Sequence, residues 1–335
     1  MTMQLAALES ALGTIVGAEW VRPAGPEDAV AGVRPAWVVE PEGAGEVAAV
    51  LRAATDAGAH LAPRGGGTKI GWGLPPRALD AVVSLRRLDA VLEHAWGDLT
   101  VTVQAGCPVS VLQQTVAQHG QRVAIDPLWP DRATMGGILA ANDTGALRVR
   151  FGGLRDLVLG VTIALPDGTL AKSGGKVVKN VAGYDLPKLM TGALGTLGVV
   201  VEATFRLYPL PAATRTFTVR AATPAALNTL ILRVLDSPLV PTGVQLRVDA
   251  GGAAAADVRF EGITGALDIA AAQFRDIAAA LGCGDALAEA DPAVWQAREA
   301  LWADSDGALI AKVSTLPAEL AACCATGVQA GGNAG

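Results

Sequence analysis

Three consecutive glycines follow an arginine in PRGGGTKIGWG, residues 63–73, and a threonine and a lysine come directly after them. Glycines let the backbone approach a ligand closely, and neighbouring N–H groups that point one way form a nest for an anion. Arg64, Thr68 and Lys69 add charge and a hydroxyl donor. The spacing fits neither the G-x-G-x-x-G nor the Walker A pattern. By itself, the segment predicts either a pyrophosphate-binding loop or a glycine-rich surface turn.

Two further segments are rich in small residues. ATMGGILAANDTG, residues 133–145, would let a flat ligand or another backbone approach closely, and it would serve close helix packing equally well. GALGTLGVVVEATF, residues 192–205, places glycines before a β-type run, which is also typical of a tight helix-to-strand turn. The residues alone leave these alternatives open.

Metal chemistry is poorly supported. No C-x-x-C pair occurs, so there is no zinc ribbon and no iron–sulfur ligation run. The histidines lie scattered in the first third without an H-E-x-x-H pattern, and we expect structural roles for them. These residues are Cys107, Cys283, Cys323, Cys324, His60, His94 and His119.

The composition describes a two-domain globular chain. Its 335 residues allow a large core, 51% are hydrophobic and 17% are charged, and no run of 18 apolar residues predicts a membrane span. A net charge of −6 argues against a broad nucleic-acid surface. The N-terminus lacks the basic region of a signal peptide. We therefore expect a cytoplasmic protein, either free or peripheral at the inner membrane as part of a complex.

A cluster of lysines interrupts this acidic background. Lys172, Lys176, Lys179 and Lys188 lie within seventeen residues of one another. The cluster is typical either of a solvated face or of a positive field near an anionic ligand. We expect Lys172 and Lys188 to be solvated.

Short strands and helices alternate from residue 36 onwards. The segment Tyr208-Pro209-Leu210-Pro211 interrupts this alternation and predicts a domain boundary. The second half has the order β-α-β-β-α, which predicts an antiparallel sheet with helices on one face. Within this pattern we expect a strand over 81–88, a helix over 180–194, a late strand over 308–316 and a frayed tail over 325–335.

In this order, the segments PRGGGTK, ATMGGILAANDTG, RFGGLRDLVLGVTIALPDG and KNVAGYDLPKLMTGALGTLGVVVEATFRLYP resemble the FAD-binding domain of the vanillyl-alcohol-oxidase or PCMH type. Within that family, SGGKVVKNVAGYDLPKLMTGALGTLG is most similar to the small FAD-binding subunits of glycolate oxidases. The resemblance implies an α+β fold: an N-terminal segment over 1–34, a two-subdomain PCMH-type FAD-binding domain over 35–209, and a small α+β cap domain with an antiparallel sheet over 210–335.

The resemblance also implies roles for matching positions. The glycine-rich loop would bind the FAD pyrophosphate, the second segment would line the flavin and lie near the dinucleotide, and the strand after the GTLG turn would present its backbone to the cofactor. The segment KNVAGYDL, with Lys179, Asn180 and Tyr184, would run close to the flavin pocket. The implied cofactor residues are Arg64, Gly65, Gly66, Gly67, Thr68, Lys69, Thr134, Gly136, Gly137, Asn142, Gly145, Gly198, Val199 and Val200.

Covalent flavin attachment in this fold uses His or Cys, and the glycine-rich loop has neither, so we expect non-covalent FAD. Cys107 is expected to be a small buried residue.

The chain departs from larger relatives that oxidise 2-hydroxy acids. It has no histidine after His119, so their C-terminal H-G-H-x-G-D-G-N-x-H-like motif is absent, and Ala193-Leu194 replaces a common glutamate. The favoured reading is an FAD-binding subunit of a glycolate oxidase that works with a larger catalytic flavin-binding subunit and an iron–sulfur subunit. One alternative is a self-sufficient dehydrogenase of a small 2-hydroxy acid such as D-lactate, with Lys179, Tyr184 or Arg247 replacing histidine. The other is a scaffold with an empty flavin fold.

Overall fold

The computed structural model describes residues 2–176, 183–221, 223–249, 251–303, 310, 313 and 315–329. The chain forms two compact units. Unit 1 comprises residues 1–144 and 153–210, and unit 2 comprises residues 145–152 and 211–335. Within the described ranges, no helix has the length and apolar character needed to cross a membrane.

Eleven α-helices occur in the described residues. They are α1 (Thr2–Val16), α2 (Ala44–Asp56), α3 (Val109–Ala117), α4 (Met135–Ala141), α5 (Arg148–Phe151), α6 (Leu154–Leu157), α7 (Leu186–Met190), α8 (Pro224–Leu235), α9 (Thr264–Ala280), α10 (Ala297–Ala303) and α11 (Leu320–Gln329).

The strands of the described residues are short, as is typical of a mixed fold. They are β1 (Val21–Pro23), β2 (Trp37–Val39), β3 (Leu61–Arg64), β4 (Ala81–Ser84), β5 (Val91–Ala95), β6 (Thr100–Gln104), β7 (Gln121–Arg122), β8 (Val158–Ala164), β9 (Leu170–Gly174), β10 (Val199–Arg206), β11 (Tyr208–Pro209), β12 (Ala213–Ala221), β13 (Gly243–Val248), β14 (Ala254–Gly262) and β15 (Leu287–Glu289).

The first sheet of unit 1 has the order β1-β2-β4-β3, with β2, β4 and β3 parallel and β1 antiparallel. Parallel strands carry apolar side chains on both faces because both faces are covered. Val38 and Val82 pack in a small cluster on one face, while Val39 and Val83 join the main core on the other. The carboxyl ends of β3 and β4 are therefore held between two packed layers.

The second sheet of unit 1 is antiparallel, with the order β5-β6-β10-β8-β9. Alternate residues of its strands, such as Val101, Val103 and Val201, are buried in the same core as Val39 and Val83 of the first sheet. One hydrophobic core thus fixes the two sheets against each other. The pair β7–β11 is a separate two-stranded ladder.

Unit 2 contains an antiparallel sheet of order β13-β14-β12-β15. Phe217 and Phe260 of this sheet and Phe274 of α9 form an aromatic cluster, with ring centroids 5.7–6.2 Å apart. Thr223 begins α8 as its N-cap and accepts a hydrogen bond from the Ala226 amide at 3.4 Å. The predicted sheet with helices packed on its apolar face is confirmed.

Several local predictions were wrong in extent. The strand expected over 81–88 ends at Ser84, because a turn closed by the Leu88 amide and the Leu85 carbonyl follows it. Of the helix expected over 180–194, the described part (183–194) is helical over Leu186–Met190 alone, and Asp185 caps that helix. Residues 325–329, expected to be frayed, continue α11. Most of the strand expected over 308–316 lies outside the described residues.

Candidate functional site

A cleft of about 820 Å³, counted to its open mouth, lies in unit 1 at the carboxyl end of β3. Three segments form it: the glycine-rich loop, α4, and the turn that leads into β10. It is lined by Pro63, Arg64, Gly65, Gly66, Gly67, Thr68, Lys69, Ile70, Trp72, Leu85, Thr134, Gly136, Gly137, Ala140, Ala141, Met190, Leu194, Gly195, Gly198, Val199 and Val200.

The glycines of the first wall are required by the packing of the loop on residues 132–134. A Cβ at Gly65 would lie 2.0 Å from Thr134 Oγ1, and one at Gly66 would lie 1.6 Å from the Arg132 carbonyl oxygen. Gly67 has φ +74°, which L side chains rarely adopt. The loop can thus follow its path only with bare backbone, and that backbone lines the cleft.

The second wall is the start of α4. Thr134 caps this helix, and its Oγ1 accepts a hydrogen bond from the Gly137 amide at 3.3 Å. Gly136 donates to the Ala105 carbonyl at 2.8 Å, and a Cβ there would lie 2.6 Å from that of Ala105. The small residues that left two alternatives open in the sequence therefore serve helix packing and also line the cleft.

The third wall is the turn before β10. The amides of Gly192 and Leu194 donate to carbonyls of Leu139 and Ala140 at 3.0 and 2.9 Å, which ties the turn to the end of α4. Gly198 has φ +145° and leads into Val199 and Val200, which are buried and line the cleft. The structure therefore brings the three glycine-rich segments together.

Arg64, the first charged residue of the loop, is anchored by a buried carboxylate. Its Nη1 lies 2.8 Å from Oδ1 of Asp28, whose side chain is 1% exposed. Arg22 binds the same carboxylate through Nη1 at 2.7 Å and Nη2 at 2.9 Å, and the Gly25 amide donates to it at 2.9 Å. Hydrogen bonding to Arg22, the largest effect, holds the Asp28 pKa well below its usual range.

Lys69, at the other end of the loop, forms a buried ion pair with Asp143. The Lys69 Nζ lies 2.9 Å from Asp143 Oδ2, and the two side chains are 5% and 3% exposed. Lys69 also donates to the Leu128 carbonyl, and the Leu128 amide donates to Asp143. The ammonium lies 5.4 Å from the centroid of the Trp129 ring. Lys69 therefore joins the loop to the segments on both sides of α4.

The remaining predicted positions are less closely tied to the cleft. Asn142 ends α4 in the left-handed conformation, with φ 48°, while Gly145 falls in the short part of unit 2. Tyr184 is 90% exposed. Lys179 and Asn180 lie outside the described residues. In unit 2, Arg247 is paired with the buried Asp257 through Nε at 2.7 Å and Nη2 at 3.0 Å.

Both lysines that were expected to be solvated are exposed. Lys172 lies on β9, and Lys188 pairs with Asp185 at 2.7 Å. Lys176 contacts Glu93. In the described part of the cluster, these lysines are absent from the cleft lining.

Cys107 is fully buried in the core of unit 1, and burial raises the pKa of its thiol to about 11. His94 and His119 contact each other edge to face at 5.1 Å, away from the cleft lining. No group of three or more potential metal ligands occurs in the described ranges.

Two observations indicate that the cleft fits an FAD molecule. Bare backbone lines the wall where an anionic pyrophosphate would need N–H donors. In addition, the buried Nε of Arg64, a cleft residue, has no hydrogen-bond partner among the described residues. A guanidinium N–H left in that state is costly unless a ligand or water completes it. The chain's own residues therefore provide a site with the polarity that the cofactor needs.

Asp28, Arg22 and Asp143 were not anticipated as parts of the site. Asp143 follows Asn142 in an otherwise apolar segment, so an acid beside predicted buried residues was an available signal. Asp28 and Arg22 lie more than thirty residues before the loop, and no local pattern connects them to it.

Comparison with known proteins agrees with this geometry. Residues 35–174 match the model of an FAD binding domain, FAD_binding_4. The chain is 33% identical over 179 residues to glycolate oxidase subunit GlcD of Bacillus subtilis (strain 168), an alignment covering 53% of this chain and 38% of that protein. It is 36% identical over 166 residues to D-2-hydroxyglutarate dehydrogenase of Xanthomonas citri pv. viticola, covering 50% and 35%. These alignments thus span well under half of each relative's own length.

The fold has solved counterparts. The structure of p-cresol methylhydroxylase with substrate bound superposes with a TM-score of 0.70 at 14% identity, covering 88% of this chain and 67% of that one. At that identity the likeness shows the fold alone. Residues 35–174 therefore match an FAD binding domain, and the chain shares its fold with this solved structure.

Proposed function

We propose that the chain is the FAD-binding subunit of a multi-subunit glycolate oxidase, acting with a catalytic partner in the oxidation of glycolate to glyoxylate. FAD, when bound, supplies a hydride acceptor for the alcohol carbon of a 2-hydroxy acid. Support for the substrate class comes from the relatives named for glycolate and D-2-hydroxyglutarate. Support for a shared complex comes from the relative named as a subunit.

The chain's own contribution would be to bind and orient the cofactor. Backbone N–H groups of Gly65 to Gly67 and the Thr68 hydroxyl would donate to the pyrophosphate, with Arg64 supplying charge. Gly136, Gly137, Val199 and Val200 would shape the apolar walls and exclude water. Asn142 and Gly145 stay as predicted contacts of the dinucleotide.

One observation carries the subunit role: among the residues that the structure describes, no general base lines the cleft. Oxidation of an alcohol needs a group that takes the hydroxyl proton. Among the described residues, the cleft lining contains no His, Asp, Glu, Tyr or Cys, and its two cations, Arg64 and Lys69, are ion-paired. A partner subunit would supply the base, and an iron–sulfur subunit would pass the electrons on.

A spectroscopic experiment tests both levels of the proposal. The purified chain should show flavin bands near about 375 and 450 nm that are released by denaturation, as expected for non-covalent FAD. Anaerobic glycolate should leave these bands unchanged for the chain alone and bleach them once co-purifying partner subunits are added.

Two outcomes would contradict it. Absence of flavin after reconstitution with FAD would favour the empty scaffold. Bleaching of the isolated chain by glycolate or D-lactate would contradict the subunit role and favour a self-sufficient dehydrogenase, whose base would then have to lie outside the described cleft lining.

A further inference from the structure

The two cations of the glycine-rich loop are held in different ways. Lys69 faces Asp143 within a buried pair. Arg64 shares Asp28 with Arg22, so one carboxylate serves two guanidinium groups. The group Arg22–Asp28–Arg64 therefore carries a net charge of +1 at the start of the loop. Glu27 and Glu40 act electrostatically on Arg22, which is the outer member.

The geometry makes Asp28 the fixed point of this group. Its carboxylate is 1% exposed and accepts from three sides: from Arg22 in bidentate fashion, from the Gly25 amide and from Arg64. Bidentate arginine–carboxylate pairs define orientation as well as energy. The Arg64 side chain is 12% exposed and, among the described residues, is held through Nη1 by Asp28. The direction of its remaining N–H groups therefore depends on where Asp28 holds it.

We propose that Asp28 is a positioning residue for FAD binding: anchored by Arg22, it holds Arg64 so that the unpartnered Nε–H of Arg64 donates to the pyrophosphate. This inference rests on the proposed cofactor role of the glycine-rich loop. Asp28 does not line the cleft, so it would act on the cofactor only through Arg64.

The sign of one substitution separates positioning from simple electrostatics. Asp28→Asn removes a negative charge near an anion site and raises the charge of the group from +1 to +2. If only charge mattered, FAD would bind more tightly. If Asp28 positions Arg64, FAD binds more weakly, because a neutral amide cannot hold two guanidinium groups in a fixed orientation.

The experiment is an FAD titration of the full chain freed of flavin, followed by flavin fluorescence. We expect Arg64→Gln to weaken FAD binding by about 10- to 100-fold, the loss of a charged hydrogen bond. Asp28→Asn should weaken it by about tenfold, and Asp28→Glu, which keeps the charge, should recover part of that loss. In the double variant Asp28→Asn/Arg64→Gln, the affinity should equal that of Arg64→Gln within about twofold.

The FAD affinity of the double variant distinguishes a positioning role from a merely structural one. Additive losses would mean that Asp28 acts on the fold at large and would overturn the proposal, as would unchanged or tighter binding by Asp28→Asn. If circular dichroism shows that Asp28→Asn is unfolded, Arg22→Gln takes its place. It loosens Asp28 while leaving the Asp28–Arg64 pair, and its loss of affinity must likewise vanish in the Arg64→Gln background.

Failure of the proposed function is distinguishable from failure of this inference. A wild-type chain that binds no FAD contradicts the cofactor site itself. If the wild-type chain binds FAD and the Arg64→Gln variant binds it equally tightly, Arg64 does not contact the cofactor. Asp28 then has no positioning role either. A weak Arg64→Gln variant with a normal Asp28→Asn variant overturns the positioning role alone.

Discussion

At the scale of residues, the chemistry of this molecule depends on partners that sequence patterns do not reveal. Arg64 and Lys69 were predicted to bring charge to a pyrophosphate, and both line the cleft. Their distances to Asp28 and Asp143, 2.8 and 2.9 Å, show that each charge is shared with a buried acid. Each pairing joins two residues that are far apart in the sequence. Composition and spacing could therefore identify the two cations but not the acids that pair with them.

Acid should remove the contribution of Asp28 to stability. Because its folded pKa lies below its unfolded value, its ion pairs stabilise the fold fully above about pH 4 and less as the pH falls further. At neutral pH, Asp28→Asn should lower the free energy of unfolding by about 3 kcal/mol, since the mostly buried Arg64 guanidinium and the half-exposed Arg22 guanidinium lose their shared acid. Urea denaturation of both proteins at several pH values measures this. The difference should shrink below about pH 4, and a gap that stays constant would contradict it.

The thiols should react in an order set by burial. Cys107 is fully buried with a pKa of about 11, and burial also raises the pKa of Cys324. Cys323 is half-buried. Because the thiolate is the reactive form, iodoacetamide should label Cys323 first in the native protein, with Cys107 protected by at least about tenfold in rate. Peptide mass spectrometry after timed labelling checks the order, and early labelling of Cys107 would refute it.

At the scale of elements, local signals predicted types better than ends. The helix over Ala44–Asp56 places Val47, Val50 and Leu51 on one buried face, with the 3.6-residue spacing of an amphipathic helix. The strand from Ala81 stops at Ser84, although its apolar pattern continued, because tertiary contacts close a turn there. The sequence indicated that the glycines of the loop allow close approach to a ligand. It did not indicate that these glycines also pack against residues 132–134.

Gly66→Ala tests whether the loop depends on that packing. The new Cβ would meet the Arg132 carbonyl, so loop and neighbouring segment must separate. We expect a loss of about 1–3 kcal/mol in stability and at least about tenfold weaker FAD binding. Gly71→Ala is the matched control, since its Cβ would meet nothing within 4 Å, and it should stay within about 0.5 kcal/mol of wild type. Thermal unfolding and FAD titration of both variants measure this, and equal behaviour of the two would contradict it.

At the scale of the whole molecule, the sequence predicted the α+β architecture and the antiparallel sheet of unit 2. Unit 1 ends at Leu210, and the insertion of residues 145–152 into unit 2 had no local signal. Such an insertion depends on contacts between distant parts of the chain. The domain boundary expected at Tyr208–Pro211 stays a prediction. The assignment of the units as cofactor and cap domains stays a prediction.

FAD should protect three segments that are distant in sequence. A ligand in the cleft would slow amide exchange at 64–69, 134–141 and 194–200, since these form its walls. At a free concentration of 100 times its Kd, FAD should stabilise the folded protein by about 2.7 kcal/mol. Hydrogen exchange mass spectrometry with and without FAD measures the pattern. Protection in only one of the three segments would contradict a shared cleft.

The path of the chain between the units has a consequence for synthesis. Residues 145–152 belong to unit 2, yet they are translated before the rest of unit 1, and α5 within them packs on β13. While the ribosome synthesises β8, β9 and β10, this segment already exists but has no sheet to join, because β12, β13 and β14 come later in the chain. A nascent chain that stalls before Gly243 would therefore present Arg148–Phe151 to chaperones, and a single cut after Leu210 would leave part of unit 2 attached to unit 1.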